Sequence, residues 1–177
     1  MPAARHVRFD PESLLAVLNA HDVAYVVIGG FAALLHGSAL PTRDLDVTPS
    51  PDKANLARLS AALTELQARI RTDAVPEGLP FSHNAASLAG AGSWNLQTAH
   101  GDLDLSFVPS GTQGYSDLSV DAERVALSDM LTIRIAALAD IIRSKDAANR
   151  DKDRRALPLL RRLLDDQIEA SRQQPEG

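Results

Sequence analysis

The sequence contains no cysteine. Disulfide bonds, thiolate metal sites and a cysteine nucleophile are therefore excluded together. The lack of disulfides fits the reducing cytoplasm. Aromatic residues make up only 4% of the chain, so its core must consist mainly of alanine, leucine, valine and isoleucine. Because 45% of the residues are hydrophobic, the composition indicates a folded globular protein rather than a disordered one.

Long hydrophobic runs are missing as well. Residues 1–9 lack the apolar stretch of a signal peptide, and no run approaches the roughly 18 apolar residues of a membrane span. We therefore expect a cytoplasmic protein that does not contact a membrane. The length of 177 residues suits a single domain over 1–177. We expect a core of about 10–136 and a helical C-terminal part of about 137–170.

Positive charge is scarce overall but concentrated near the C-terminus. The formal net charge of -5 argues against a general nucleic-acid coat. Residues 143–162 nevertheless hold eight lysines and arginines against three aspartates, a local excess of +5 (8 − 3). This excess could meet phosphates, or it could be a solvated helix face with ion pairs, and the sequence leaves both alternatives open.

Hydrophobic periodicity and turn residues predict a mixed order of helices and strands. Helices are predicted at about 10–21, 31–36, 50–68, 138–148 and 151–170, and Pro158 is expected to disturb the last one. Strands are predicted at about 24–28, 45–48, 94–98, 102–108, 124–127 and 131–136. Residues 72–92 are rich in proline, glycine, serine and asparagine, which indicates a loop. This order favours an α+β or α/β domain with a helical C-terminal part.

Two glycines lie between a predicted strand and a predicted helix. Ile28 ends the strand and Phe31 begins the helix, so Gly29 and Gly30 form the junction. Glycine lets backbone N–H groups come close to a ligand, and a helix N-terminus favours anions. The pair is therefore compatible with a bound phosphate, and the alternative is a tight turn that has no ligand, which is the more common case.

Two aspartates stand one residue apart in the next predicted strand. Side chains two residues apart on a strand point to the same face, so Asp44 and Asp46 would share one pocket. Two ionised carboxylates this close repel each other unless a cation lies between them. Hard divalent cations such as Mg²⁺ prefer such oxygen ligands and also bind phosphates. A solvated edge strand is the alternative explanation.

A third carboxylate comes from a later strand. Asp102 and Asp104 again alternate with leucines, and Asp102 next to Gly101 would cap the turn there. If the two predicted strands are neighbours, Asp44, Asp46 and Asp104 converge. Three carboxylates can hold two metal ions about 3.5–4 Å apart.

The glycine pair followed by Asp44-Leu45-Asp46-Val47 resembles the signature of the DNA-polymerase-β-like nucleotidyltransferase superfamily. In that superfamily a Gly-Gly or Gly-Ser turn binds nucleotide phosphates, and an Asp-x-Asp pair with a later strand aspartate binds metal. Within it, the chain is similar to the small bacterial AbiEii and MenT nucleotidyltransferase toxins. The similar blocks, within about residues 24–165, are His36-Gly37, Pro41-Thr42-Arg43-Asp44-Leu45-Asp46, Gly101-Asp102-Leu103-Asp104, and Ile142-Arg143-Ser144-Lys145 followed by Arg150-Asp151-Lys152-Asp153.

The resemblance implies an α+β nucleotidyltransferase fold, with a small mixed β-sheet flanked by helices and with C-terminal helices. It implies transfer of a nucleoside monophosphate from an NTP to an acceptor hydroxyl, with Mg²⁺ (or Mn²⁺) as cofactor. In the toxin branch the acceptor is a tRNA 3′ end, and a cognate antitoxin protein is the partner.

The resemblance also assigns site residues. Asp44 and Asp46 would bind metal, and Asp104 would bind metal or act as the base toward the acceptor hydroxyl. The nucleotide would be bound by Gly29, Gly30 and Lys145, with Lys152 and Asp153 next to the site.

Three alternatives stay open at the level of sequence. Thr42 stands where a hydroxyl in the toxin branch can be phosphorylated by a partner antitoxin, but a threonine after Pro41 is also typical of a simple turn. The acceptor could instead be a protein hydroxyl that receives AMP. The domain could also be catalytically inactive and bind only a nucleotide or a partner chain.

Overall fold

The computed structural model describes residues 7–174, so the ends of the predicted domain, 1–6 and 175–177, lie outside the described residues. Within this range the helices are α1 (Pro11–Ala20), α2 (Gly29–Leu35), α3 (Lys53–Glu65), α4 (Ala85–Ala89), α5 (Tyr115–Leu118), α6 (Leu138–Ala148) and α7 (Asp151–Gln173). The strands are β1 (Tyr25–Ile28), β2 (Asp44–Pro49), β3 (Arg69–Thr72), β4 (Val75–Leu79), β5 (Ser93–Thr98), β6 (Gly101–Ser106), β7 (Glu123–Ser128) and β8 (Leu131–Ile135).

All of these strands join one mixed sheet. Its order is β4-β3-β5-β6-β2-β1-β8-β7, and eight strands take part. β2 pairs with β6 and β1 pairs with β8 in parallel, whereas the other neighbours are antiparallel. The predicted α+β fold with a mixed sheet and C-terminal helices is confirmed. Among residues 7–174, no helix combines the length and the apolar character needed to cross a membrane.

Helix α1 begins and ends where the sequence pattern predicts. The side chain of Asp10 accepts a hydrogen bond from the backbone N–H of Ser13 at 3.1 Å, and Pro11 occupies the first turn. The leucines of its inner face are fully buried, and α1 packs against α3, β6 and β8. The core is therefore mainly aliphatic, as the composition requires.

The prediction of a loop over 72–92 is wrong. The end of β3, all of β4 and the short helix α4 lie in this segment. β4 contains Pro76 and Gly78, which are rare inside strands, but β4 is an edge strand, where a missing N–H is tolerated. α4 forms because Asn84 and Ser87 make a reciprocal capping box.

Helix α7 continues through Pro158, so the expected disturbance does not end the helix. Proline removes one backbone donor inside a helix and crowds the preceding turn. Leu157 and Leu160 beside it are buried, and α7 packs along α6. Tertiary packing therefore stabilises the helix despite the proline.

Asn55 is a fully buried polar residue that joins α3 to the ends of two strands. Its side-chain oxygen accepts from the N–H of Ala24 at 2.7 Å. Its amide nitrogen donates to the carbonyl oxygens of Ala24 at 2.9 Å and Ser50 at 2.8 Å. These bonds satisfy backbone groups just before β1 and just after β2, and so they fix the two strands that carry the glycine pair and the first aspartates.

We expect Asn55→Ala to lower the free energy of unfolding by about 2–3 kcal/mol, because it removes three hydrogen bonds and leaves the half-buried N–H of Ala24 and carbonyl oxygen of Ser50 without the partner that Asn55 supplies. Urea denaturation followed by circular dichroism measures the loss. Thr64→Ala on the exposed side of the same helix is the matched control and should change stability by less than about 0.5 kcal/mol. Equal effects of the two substitutions would contradict the role assigned to Asn55.

Candidate active site

The candidate site is built on the parallel pair β2 and β6. Their register places Asp44 beside Asp102 and Asp46 beside Asp104. Side chains of directly neighbouring strand residues point to the same face, so four aspartates share one face of the sheet. The alternating residues on the opposite face, Leu45, Val47, Leu103 and Leu105, are buried in the core.

Three of these carboxylates converge. Asp44, Asp46 and Asp104 each offer one oxygen atom, and the three oxygens lie within 4.8 Å of one another. All three side chains are half-buried, so water screens their mutual repulsion only in part. An oxygen-only cluster of this kind fits a hard divalent cation such as Mg²⁺ or Mn²⁺.

The glycine pair lies directly against the carboxylates. β1 pairs with β2 so that Ile28 faces Asp46, and α2 begins at Gly29, two residues earlier than predicted. Gly29 has φ +67°, and a Cβ atom on it would lie 2.9 Å from Cγ of Asp46. A Cβ on Gly30 would lie 3.0 Å from Oγ1 of Thr42. Only glycine combines this backbone conformation with this close approach at position 29.

A cleft of about 660 Å³ opens over the carboxylates. It is lined by eight of the nine site residues indicated by the sequence, namely Gly29, Gly30, Thr42, Asp44, Asp46, Asp104, Lys145 and Lys152. Thr42 uses its hydroxyl to donate a hydrogen bond to the carbonyl oxygen of Asp44 at 3.1 Å. The structure therefore gathers residues from β1, α2, β2, β6, α6 and α7 around one cavity.

Asp153 lies behind the cleft rather than in its wall. It is fully buried and accepts hydrogen bonds from Nε of Arg150 at 2.7 Å and from Nζ of Lys145 at 3.4 Å. Burial acts to raise the pKa of Asp153, but the hydrogen bonds and charges of Arg150 and Lys145 outweigh it and lower this pKa. Asp153 is therefore an ionised anchor that orients Lys145 at the wall of the cleft.

Among the carboxyl groups of residues 7–174, Asp46 has the largest pKa shift. Burial, together with the charges of Asp44 and Asp104, raises the pKa of Asp46 from 3.8 to about 7, although Lys152 and Lys145 act in the opposite direction. A bound cation would favour the ionised form and remove this penalty. The site is thus arranged to gain stability when positive charge enters it.

Arg71 is a site residue that the sequence interpretation missed. From β3 it donates two hydrogen bonds to Asp104, at 2.8 Å and 3.0 Å, and pairs with Asp102 at 3.2 Å. Burial raises the pKa of Asp104 and of Asp102, and the guanidinium of Arg71 offsets this rise only in part. The alternation of basic and apolar residues at Arg69, Ile70 and Arg71 is typical of a strand, but it covers only three residues next to the predicted loop.

The expected role of Asp102 as a turn cap is wrong. Its carboxylate pairs with Arg71, and the turn before β6 is closed instead by Thr98, whose hydroxyl donates to the carbonyl oxygen of Gly101 at 2.7 Å. The same hydroxyl accepts from the N–H of His100 at 3.0 Å. Thr98 at the end of β5 supplies the turn's hydrogen bonds, so the carboxylate of Asp102 pairs with Arg71 instead.

No protein-family model matches the chain, and no curated protein matches its sequence. Solved structures do match its fold. The lincomycin-bound lincosamide antibiotic adenylyltransferase LnuA is 13% identical, with 89% of this chain and 99% of LnuA covered and a TM-score of 0.58. ANT(2″)-Ia in complex with adenylyl-2″-tobramycin is 14% identical, with 89% of each chain covered and a TM-score of 0.53. The chain therefore has a nucleotidyltransferase fold.

We expect Gly29→Ala to weaken Mn²⁺ binding at least about tenfold, because the new Cβ would displace the carboxylate of Asp46 and strain the backbone. Titration calorimetry measures the affinity. Gly92→Ala is the matched control, because a Cβ there meets no atom within 4 Å, and it should bind Mn²⁺ as the natural chain does. Unchanged binding by Gly29→Ala would mean that the close approach is not needed for the site.

The raised pKa of Asp46 predicts a pH-dependent stability. Between pH 3.8 and about 7 the folded chain binds more protons than the unfolded chain, so stability is lost as pH rises through this window. Asp46→Asn removes this titration. In the presence of EDTA, the free energy of unfolding of Asp46→Asn relative to that of the natural chain should therefore rise by about 2 kcal/mol from about pH 5 to about pH 8. Urea denaturation at both pH values measures this difference, and a gain that does not depend on pH would contradict the assignment.

Proposed function

We propose that the chain is a metal-dependent nucleotidyltransferase that moves a nucleoside monophosphate from an NTP to an acceptor hydroxyl. The observation that carries this proposal is the convergence of Asp44, Asp46 and Asp104 beside the Gly29 junction, at the floor of one cleft. The fold likeness to LnuA, an adenylyltransferase, supports the same class of reaction.

The nucleotide would bind on the side of α2, α6 and α7. Asp44, Asp46 and Asp104 would hold Mg²⁺ (or Mn²⁺), which supplies charge stabilisation at the triphosphate and lowers the pKa of the attacking hydroxyl. Gly29 and Gly30 leave room for phosphate oxygens close to the backbone. The ammonium groups of two lysines that line this side, Lys145 and Lys152, would contact the triphosphate.

The acceptor would approach from the side of β5 and β3. In an in-line displacement the attacking and leaving oxygens lie on opposite sides of the phosphorus. Because the glycines and lysines lie on one side of the carboxylates, the acceptor belongs on the other, where Asp104 is nearest to β5. The acceptor oxygen would bond to the α-phosphorus as the bond to the bridging oxygen breaks and pyrophosphate leaves. Asp104, if it is not a metal ligand, would accept the hydroxyl proton.

The toxin of a toxin–antitoxin pair, acting in the cytoplasm on a tRNA 3′ end, is the biological role that we propose. It rests on the resemblance of the sequence blocks around Thr42, Asp104 and Lys145 to the toxin group. Phosphorylation of Thr42 by an antitoxin stays a prediction. The hydroxyl lies in the wall of the cleft, so a phosphate there would add negative charge beside the carboxylates and oppose nucleotide binding.

The test is incubation with each radiolabelled NTP and a set of acceptors, namely total tRNA, a cell lysate, lincomycin and tobramycin. We expect label in tRNA, and a loss of at least about 100-fold with Asp46→Asn, because that substitution removes a charge needed for transition-state stabilisation. Asp165→Asn on the exposed face of α7 is the matched control and should keep full activity.

Other outcomes separate the alternatives. A labelled protein band with unlabelled tRNA would favour transfer of AMP to a protein hydroxyl, and a labelled antibiotic would favour a small-molecule acceptor. Binding of NTP in calorimetry without any transfer would favour an inactive binding domain. Full transfer by Asp46→Asn would overturn the proposed site.

A further inference from the structure

Arg71 reaches the carboxylates from an irregular part of the sheet. The pairing of β3 with β4 shifts between Ile70 and Thr72, so that Arg71 alone faces three residues of β4. Such irregularities occur next to active sites, where they aim a side chain in a new direction. From this position the guanidinium extends across β5 to both aspartates of β6.

The contacts of Arg71 use the same carboxylate that the cation cluster needs. One terminal nitrogen donates to both oxygens of Asp104, so each oxygen has a lone pair engaged. The other terminal nitrogen contacts Asp102 at 3.2 Å and the carbonyl oxygen of Leu96 at 3.3 Å. The guanidinium would therefore keep two partners if it released Asp104. Its side chain is 30% exposed, which leaves it room to move toward the solvent.

We infer that Arg71 competes with a divalent cation for Asp104, and that release of this carboxylate by the guanidinium controls how tightly the carboxylate cluster binds its cations. The inference rests on the proposed function, because it takes Asp44, Asp46 and Asp104 as the cation ligands. The guanidinium and the cation need the same oxygens, and two positive charges this close repel each other. Arg71 lies on the acceptor side of the cluster, so this competition links cation binding to the face where the acceptor enters.

Arg69 provides a matched comparison on the same strand. It carries the same charge, and its partner Gln97 stands opposite Asp102, so Arg69 lies on the same face as the site. Its guanidinium donates to the backbone carbonyl oxygens of Glu77 at 2.7 Å and Gly78 at 2.9 Å and to no carboxylate within the described residues. Substitution of Arg69 therefore removes a nearby charge without freeing Asp104.

The experiment is a Mn²⁺ titration of the full chain without nucleotide, with free Mn²⁺ measured by electron paramagnetic resonance. We expect Arg71→Gln to bind Mn²⁺ about tenfold more tightly than the natural chain, because Asp104 becomes available and a repelling charge is removed. Arg69→Gln should stay within about twofold of the natural chain. Arg71→Lys keeps the charge but lacks the planar fork, and its affinity should lie between those of the natural chain and Arg71→Gln. Thermal melts check that each variant is folded.

Unchanged or weaker binding by Arg71→Gln would overturn the inference, because Arg71 would then orient Asp104 for the cation rather than compete for it. Equal tightening by Arg69→Gln and Arg71→Gln would also overturn it, since the effect would be one of total charge. If neither the natural chain nor any variant bound Mn²⁺, the proposed function itself would fail, and this result is distinct from the other two.

Discussion

The parallel pairing of β2 with β6 is the constraint on which the site depends. It places Asp46 beside Asp104 and Asp44 beside Asp102, with the intervening leucines and valine locked into the core on the other face. A register slip of one residue would bury the acids and expose the apolar side chains, so core packing fixes the position of the charges. The cost of this arrangement is the burial of carboxylates and their mutual repulsion, and both raise the pKa of Asp46.

Basic side chains reduce this repulsion in two ways. On the side of α6 and α7, Lys145 is held by the buried Asp153, and together with Lys152 it acts to lower the pKa of Asp46. On the side of β3, Arg71 binds Asp104 and Asp102 directly. The two lysines leave the carboxylate oxygens open to a metal, whereas Arg71 forms hydrogen bonds with them. This difference gives the two sides of the carboxylate cluster different chemistry and supports the proposed assignment of one side to the nucleotide and the other to the acceptor.

The basic segment 143–162 illustrates how charge seen in a sequence divides in a fold. Arg154 and Arg161 form ion pairs with nearby aspartates on exposed surfaces, where such pairs contribute little to stability, and Arg143 pairs with Asp117 and the half-buried Asp140. Lys145 and Lys152 line the cleft instead. The ion-paired arginines fit the alternative of a helix face with ion pairs, whereas contact of Lys145 and Lys152 with phosphates stays a prediction. The helix faces of α6 and α7 decide this division.

Local patterns in the sequence determined the elements that carry the acids and the junction that faces them: the alternation at Asp44-Leu45-Asp46 and Asp102-Leu103-Asp104, the cap at Asp10 and the glycines after Ile28. Such signals act over a few residues, so they can be recognised without a fold. Only the tertiary structure decided that β6 lies beside β2, that β3 and β4 complete the sheet, and that Arg71 reaches Asp104. These facts depend on contacts between distant segments. The proline and glycine of β4 give it a weak local strand propensity, and the strand forms because pairing at the edge of the sheet outweighs that propensity.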